Sequence, residues 1–145
     1  MSENSTARIG FNADSETAAS ANTIQNNAIG VVISNGSSAR IIGNSIQNNI
    51  GVGIQILRDS QADIASNAIS GNLDGIEVGE NSFVQLGEDS GTSIYESANT
   101  TTSTNTGVGI RCSNGGVADG RHGTLTGSGA AKDFTDPTCI DSLSP

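Results

Sequence analysis

At 145 residues the chain has the length of one domain. Its apolar content is 34% and its aromatic content 3%, against an apolar share of ~45–50% in ordinary globular domains, so any core must come from small aliphatic residues. Fifteen acids against six bases give a net charge of −9, which argues against nucleic acid as a partner, because phosphates would be repelled. No long apolar run and no basic amphipathic segment is present, so no membrane partner is expected. Met1-Ser2-Glu3-Asn4 lacks a basic start and an apolar stretch, so no signal peptide is expected in this segment.

In chain order, one short stretch recurs: Ser5-Thr6-Ala7-Arg8-Ile9, Ser37-Ser38-Ala39-Arg40-Ile41, Ser60-Gln61-Ala62-Asp63-Ile64 and Ser82-Phe83-Val84-Gln85-Leu86. A second stretch alternates with it: Gly30-Val31-Val32-Ile33, Gly53-Ile54-Gln55-Ile56, Gly75-Ile76-Glu77-Val78 and Gly109-Ile110-Arg111-Cys112. Between them sit Asn22-Thr23-Ile24, Asn44-Ser45-Ile46 and Asn67-Ala68-Ile69, closed by Asn27, Asn49 and Asn72. The leading Ser positions, with Gly116 last, are spaced by 32, 23, 22 and 34 residues. Alternation within each stretch is that of a strand of three or four residues, and no helical period appears. Three short strands per repeat of about 22 residues describe a coil. Stacking such coils ~4.8 Å apart sets like residues above one another. The inward columns are then Ala7/Ala39/Ala62/Val84, Ile9/Ile41/Ile64/Leu86, Ile24/Ile46/Ile69, Val31/Ile54/Ile76/Ile110 and Ile33/Ile56/Val78/Cys112. Asn and Gly suit corners with left-handed backbone, and stacked Asn side chains can hydrogen-bond along the axis.

The pattern Asn-x-Ile-x-x-Asn, Gly-Ile-x-Ile, Ser-x-Ala-x-Ile resembles the repeat of right-handed parallel β-helix proteins, the pectate-lyase-like superfold. The resemblance covers roughly residues 5–113. It implies an all-β fold: a short, right-handed, single-stranded parallel β-helix of about four to five coils with a C-terminal cap. One domain spans 1–145, with coils over 5–116 and an incomplete last coil and cap over 117–145. The resemblance leaves function open, because that superfold hosts lyases, hydrolases, epimerases and adhesins.

The long spacings place insertions at one corner, residues 12–21 and 88–98. Two loops there would flank a floor formed by Asn44, Gln47, Asn48, Asn67 and Ser70, with Tyr95 able to stack on a sugar face. Repeat arrays also tolerate corner loops with no function. A non-catalytic structural or interaction module is the leading reading, with a polysaccharide or surface glycan as partner on this floor. Neighbouring coils or a second copy are the partners expected at the end coils. In the alternative, a polysaccharide lyase or hydrolase, Asp14, Glu16, Glu88 and Asp89 would act across the floor, with Arg58 or Arg111 as the basic partner. Register gives the charges a plainer role: Arg40 beside Asp63, Arg58 beside Glu80, Glu77 beside Arg111. Asp59 and Asp74 are left unpaired.

No cofactor is implied; a loose calcium site at Glu88 and Asp89 is the one metal alternative, without the order of an EF-hand loop. His122 in "GRHGT" reads as an exposed turn residue. With one histidine and two cysteines a zinc site would need Cys112 to leave the core. Cys112 and Cys139 fit a disulfide in an extracellular or cell-surface protein, with a buried free Cys112 as the alternative.

Overall fold

The computed structural model describes residues 3–11, 19–87 and 97–145. They form a β-solenoid of about 5 turns. The first coil contributes β1 (Thr6–Ile9), β2 (Thr23–Gln25) and β3 (Val31–Ile33). The second contributes β4 (Ser38–Ile42), β5 (Ser45–Gln47) and β6 (Ile54–Ile56), the third β7 (Gln61–Ala65), β8 (Ala68–Ser70) and β9 (Ile76–Val78). Then follow β10 (Phe83–Leu86), β11 (Val108–Cys112), β12 (Val117–Arg121), β13 (Ala130–Asp133) and β14 (Ile140–Ser144). Every pairing is parallel and joins one coil to the next: β1-β4-β7-β10-β12-β14 in one sheet, β2-β5-β8 in a second, β3-β6-β9-β11-β13 in a third.

Each predicted inward column is realised in the register. Ala7, Ala39, Ala62 and Val84 align, as do Ile9, Ile41, Ile64 and Leu86. The isoleucines at 41, 46, 54, 56, 64, 69, 76 and 110 are fully buried. A single coil cannot bury them, since its side chains have only the coils above and below to pack against.

Three polar ladders hold the corners. In the first, the backbone N–H and Nδ2 of Asn22 both donate to Oδ1 of Asn44, at 3.1 and 2.9 Å. Asn44 donates likewise to Asn67, and Asn67 to Asn99. The second runs Asn27, Asn49, Asn72, Asn105 in the same manner. The third is made of serines, with the N–H of Ser5, Ser37 and Ser60 donating to the hydroxyl of the next coil's serine. Corners between strands adopt left-handed backbone: Asn48 (φ 54°), Ser66 (φ 59°), Gly43 (φ 72°) and Gly71 (φ 66°). At Gly53 the constraint is space: a Cβ there would lie 2.7 Å from the Gly75 carbonyl oxygen of the next coil.

The insertions leave and return at one corner. Ser20 N–H donates to Gly10 O at 2.6 Å, and Ala19 packs on buried Phe11 and Ile42. On the far side Ser66 N–H donates to Ser97 O. Beyond Val117 the chain keeps to the coil path: β12 lies on β10, β13 on β11 and β14 on β12. The sequence pattern fades there because Gly120, Lys132 and Asp141 replace aliphatic residues in the columns.

Cys112 and Cys139 form a disulfide across a sequence separation of 27. Closing a loop of this length stabilises the fold by about 3–4 kcal/mol in the chain-entropy account. Urea unfolding with and without reductant should differ by that amount.

Asn67 fixes the scale of the ladder. Its Nδ2 donates to the carbonyls of Ile41 and Ala65 and to Asn99 Oδ1, while its Oδ1 accepts from Asn44. Truncation leaves buried donors and acceptors without partners, which costs about 1–3 kcal/mol for each group orphaned. Asn67→Ala should lose at least about 2 kcal/mol in urea unfolding, while the half-exposed Gln47→Ala changes stability by less than about 0.5 kcal/mol.

Candidate functional site

The outer face of the first sheet carries a groove of about 490 Å³ across β1, β4 and β7. Side chains alternate along these strands, so the residues flanking the inward alanines point outward. Thr6, Ser38 and Gln61 form one outward row, and Arg8, Arg40 and Asp63 form the next. The groove thus offers hydroxyls, an amide, two guanidinium groups and a carboxylate on a rigid floor. Arg40 and Asp63 are cross-strand neighbours, as the repeat predicts. Both arginines also lie over the Phe11 ring, with Cζ 4.8 Å from its centroid for Arg40 and 5.7 Å for Arg8. Phe11 is buried, so it holds the guanidinium planes in place from below. This is an excess of positive charge on a chain of net charge −9.

The predicted floor is divided. Asn44, Asn67 and Ser70 are buried at 2%, 1% and 3% exposure. The amides of Asn44 and Asn67 serve the first ladder, and Ser70 Oγ accepts the N–H of Thr102. These three side chains are therefore turned away from the surface on which a ligand would rest. Gln47 is half-buried and donates Nε2 to Gln25 Oε1; Asn48 is exposed at the corner. Asp14, Glu16, Glu88, Asp89 and Tyr95 lie outside the described residues.

Of the three predicted charge pairs, Arg58–Glu80 forms at 3.3 Å on the surface. Arg111 departs from expectation. Its strand aligns Glu77 beside it, yet its Nε meets Asp74 at 2.9 Å and its Nη1 meets Asp133 at 2.6 Å. Asp74 is not unpaired: it is buried at 5% exposure and also accepts Val108 N–H at 2.8 Å. A buried carboxylate in that setting attracts a cation more strongly than half-buried Glu77, which accepts instead from Gln55. The Asp74 hydrogen bond holds the Arg111 pKa above the ordinary arginine value. His122 likewise differs from expectation. It is buried at 8% exposure, with ring nitrogens 3.3 and 3.4 Å from the carbonyl oxygens of Gly123 and Ala131.

A family model described as periplasmic copper-binding protein (NosD) matches residues 1–97 of the 145. The chain belongs to the NosD family. No curated protein matches the chain, and no solved structure does. NosD membership puts the chain outside the cytoplasm, in the compartment where the Cys112–Cys139 bond persists. It is a periplasmic binding or structural module.

The copper in the family's description finds no fitting donors here. Copper favours thiolate, thioether and imidazole ligands. The chain has one His, one Met and two Cys, and both cysteines are joined in the disulfide. Among the described residues no group of three or more His, Cys, Asp or Glu could hold a metal ion.

The acids of the last coil are set by local hydrogen bonds. The Thr135 hydroxyl and N–H, with Arg111 adding attraction, hold Asp133 below the usual carboxyl value of 3.8. Thr138, with Asn114 N–H, does the same for Asp136. A folded-state pKa below the unfolded one gives stability that is present above the unfolded value and lost as pH falls through the folded one. Thermal stability should therefore decline as pH drops below 3.8. Asp133→Asn should flatten that acid limb, as seen in melting curves across an acid pH series.

Proposed function

We propose that the chain is a non-catalytic module that binds a saccharide across the outer face of β1, β4 and β7. The observation that carries this reading is the groove with Arg8 and Arg40 in adjacent coils, clamped on Phe11. Two guanidinium forks one coil apart suit a carboxylate- or sulfate-bearing glycan, since such contacts are charge-assisted and geometrically specific. Thr6, Ser38 and Gln61 beside them supply the uncharged hydrogen bonds that sugar hydroxyls use. The groove runs across strands rather than loops, so little conformational entropy is lost on binding.

The enzymatic alternative needs a pair of carboxylates flanking a bond. Among the described residues lining the groove Asp63 is the one carboxylate, and it stands beside Arg40.

A glycan array followed by calorimetry tests the reading. An acidic oligosaccharide should bind, and Arg40→Ala should weaken it by roughly 10–100-fold, the worth of a charged hydrogen bond. Equal affinity for the variant, or no glycan bound, sinks the proposal. Unsaturated products appearing in the ultraviolet would support the lyase instead.

A further inference from the structure

The outward face of the first sheet changes character along the axis. One outward row runs Thr6, Ser38, Gln61, Phe83, Val117, and the row beside it runs Arg8, Arg40, Asp63, Gln85, Asp119. The residues between them settle which way they face. Val84, Leu86 and Ala118 are fully buried in the core, so Phe83, Gln85, Val117 and Asp119 point away from it. Gln61 is the last groove residue of the first row. Half-buried Phe83 stands beside it in register, one strand spacing of about 4.8 Å further on. Polar groove thus passes directly into apolar surface, Phe83 followed by Val117, and such surface next to polar groups marks a contact site. In the second row the sign of the charge reverses at the same place. Arg8 and Arg40 give way to Asp63, Gln85 and Asp119.

We propose, resting on the saccharide reading of the groove, that Phe83 is the platform for a second, uncharged sugar unit of the same ligand. The acid group of the first unit sits on Arg8 and Arg40. The adjoining ring crosses Gln61 and lays its C–H face on the Phe83 ring, whose π face is negative. Arg40 and Phe83 are two coils apart in register, roughly 10 Å at the sheet spacing, the span of a sugar unit or two. Repulsion by Asp63 and Asp119 disfavours a second acid over these coils. The ligand class is therefore a glycan in which an acidic unit adjoins a neutral one, rather than a run of acidic units.

Calorimetry on the full chain tests this with two probes of matched length: hyaluronan oligosaccharides, which alternate uronate with an uncharged sugar, and oligogalacturonate, in which every unit is acidic. The hyaluronan probe should bind at least roughly 10-fold more tightly. Phe83→Leu keeps the strip apolar but removes the ring, and should weaken the hyaluronan probe by roughly 3–10-fold, the scale of an aromatic contact. Phe83→Tyr should restore wild-type affinity. Arg40→Ala separates the two readings. If it weakens binding while Phe83→Leu does not, the platform is overturned and the groove stands. Oligogalacturonate binding as tightly as hyaluronan also overturns the proposal. If neither probe binds, the groove reading and the platform fall together. Light scattering completes the test: a wild-type dimer that Phe83→Leu dissolves would assign the strip to a second copy and overturn the proposal.

Discussion

A side-chain oxygen that accepts two hydrogen bonds from the preceding coil is the interaction on which the rest depends. Asn67 Oδ1 takes both the N–H and the Nδ2 of Asn44, and Asn99 Oδ1 does the same for Asn67. Two donors from one residue fix both the spacing and the rotation between coils. The register of the inward isoleucines follows, because a coil displaced by one residue would turn its aliphatic side chains outward. The core of Ile, Val and Ala can then do without large aromatics, since packing between layers of like shape leaves few voids.

The same constraint explains what the groove is. Outward residues stack as faithfully as inward ones, so Arg8 and Arg40 stand together only because Ala7 and Ala39 do. The outward rows are set by register, and they can change without touching the core. The family's description names copper, while this chain presents guanidinium groups and hydroxyls in its groove and an oxidised cysteine pair in its wall.

Much of this was legible in the sequence, for a physical reason: a repeat that buries one residue type per position prints its period directly. The inward columns and the Cys112–Cys139 bond were readable from residue type and spacing. Two things were hidden. Asn99 and Asn105 continue the ladders, but six residues separate them where Asn44 and Asn49 are five apart, so the periodic pattern skipped that coil. Asn44 and Asn67 looked like surface amides because asparagine is usually exposed. Only the hydrogen-bond requirement of a stacked corner turns them inward. The Arg111 pairing was also out of reach, since Asp74 is far along the chain from Arg111 and outcompetes Glu77 only because it is buried.

The disulfide gives the molecule a polarity of unravelling. Cys139 ties the last coil to Cys112, one turn earlier, while β1 and β2 of the first coil are only half-buried. In a one-dimensional stack each layer is stabilised by its neighbours, so the half-buried first coil opens more readily than the coil tied by the disulfide. The groove lies across β1, β4 and β7. A molecule seated there would fasten the loose end to the two coils beneath it, and occupancy would be felt as slower unzipping from the N-terminal side.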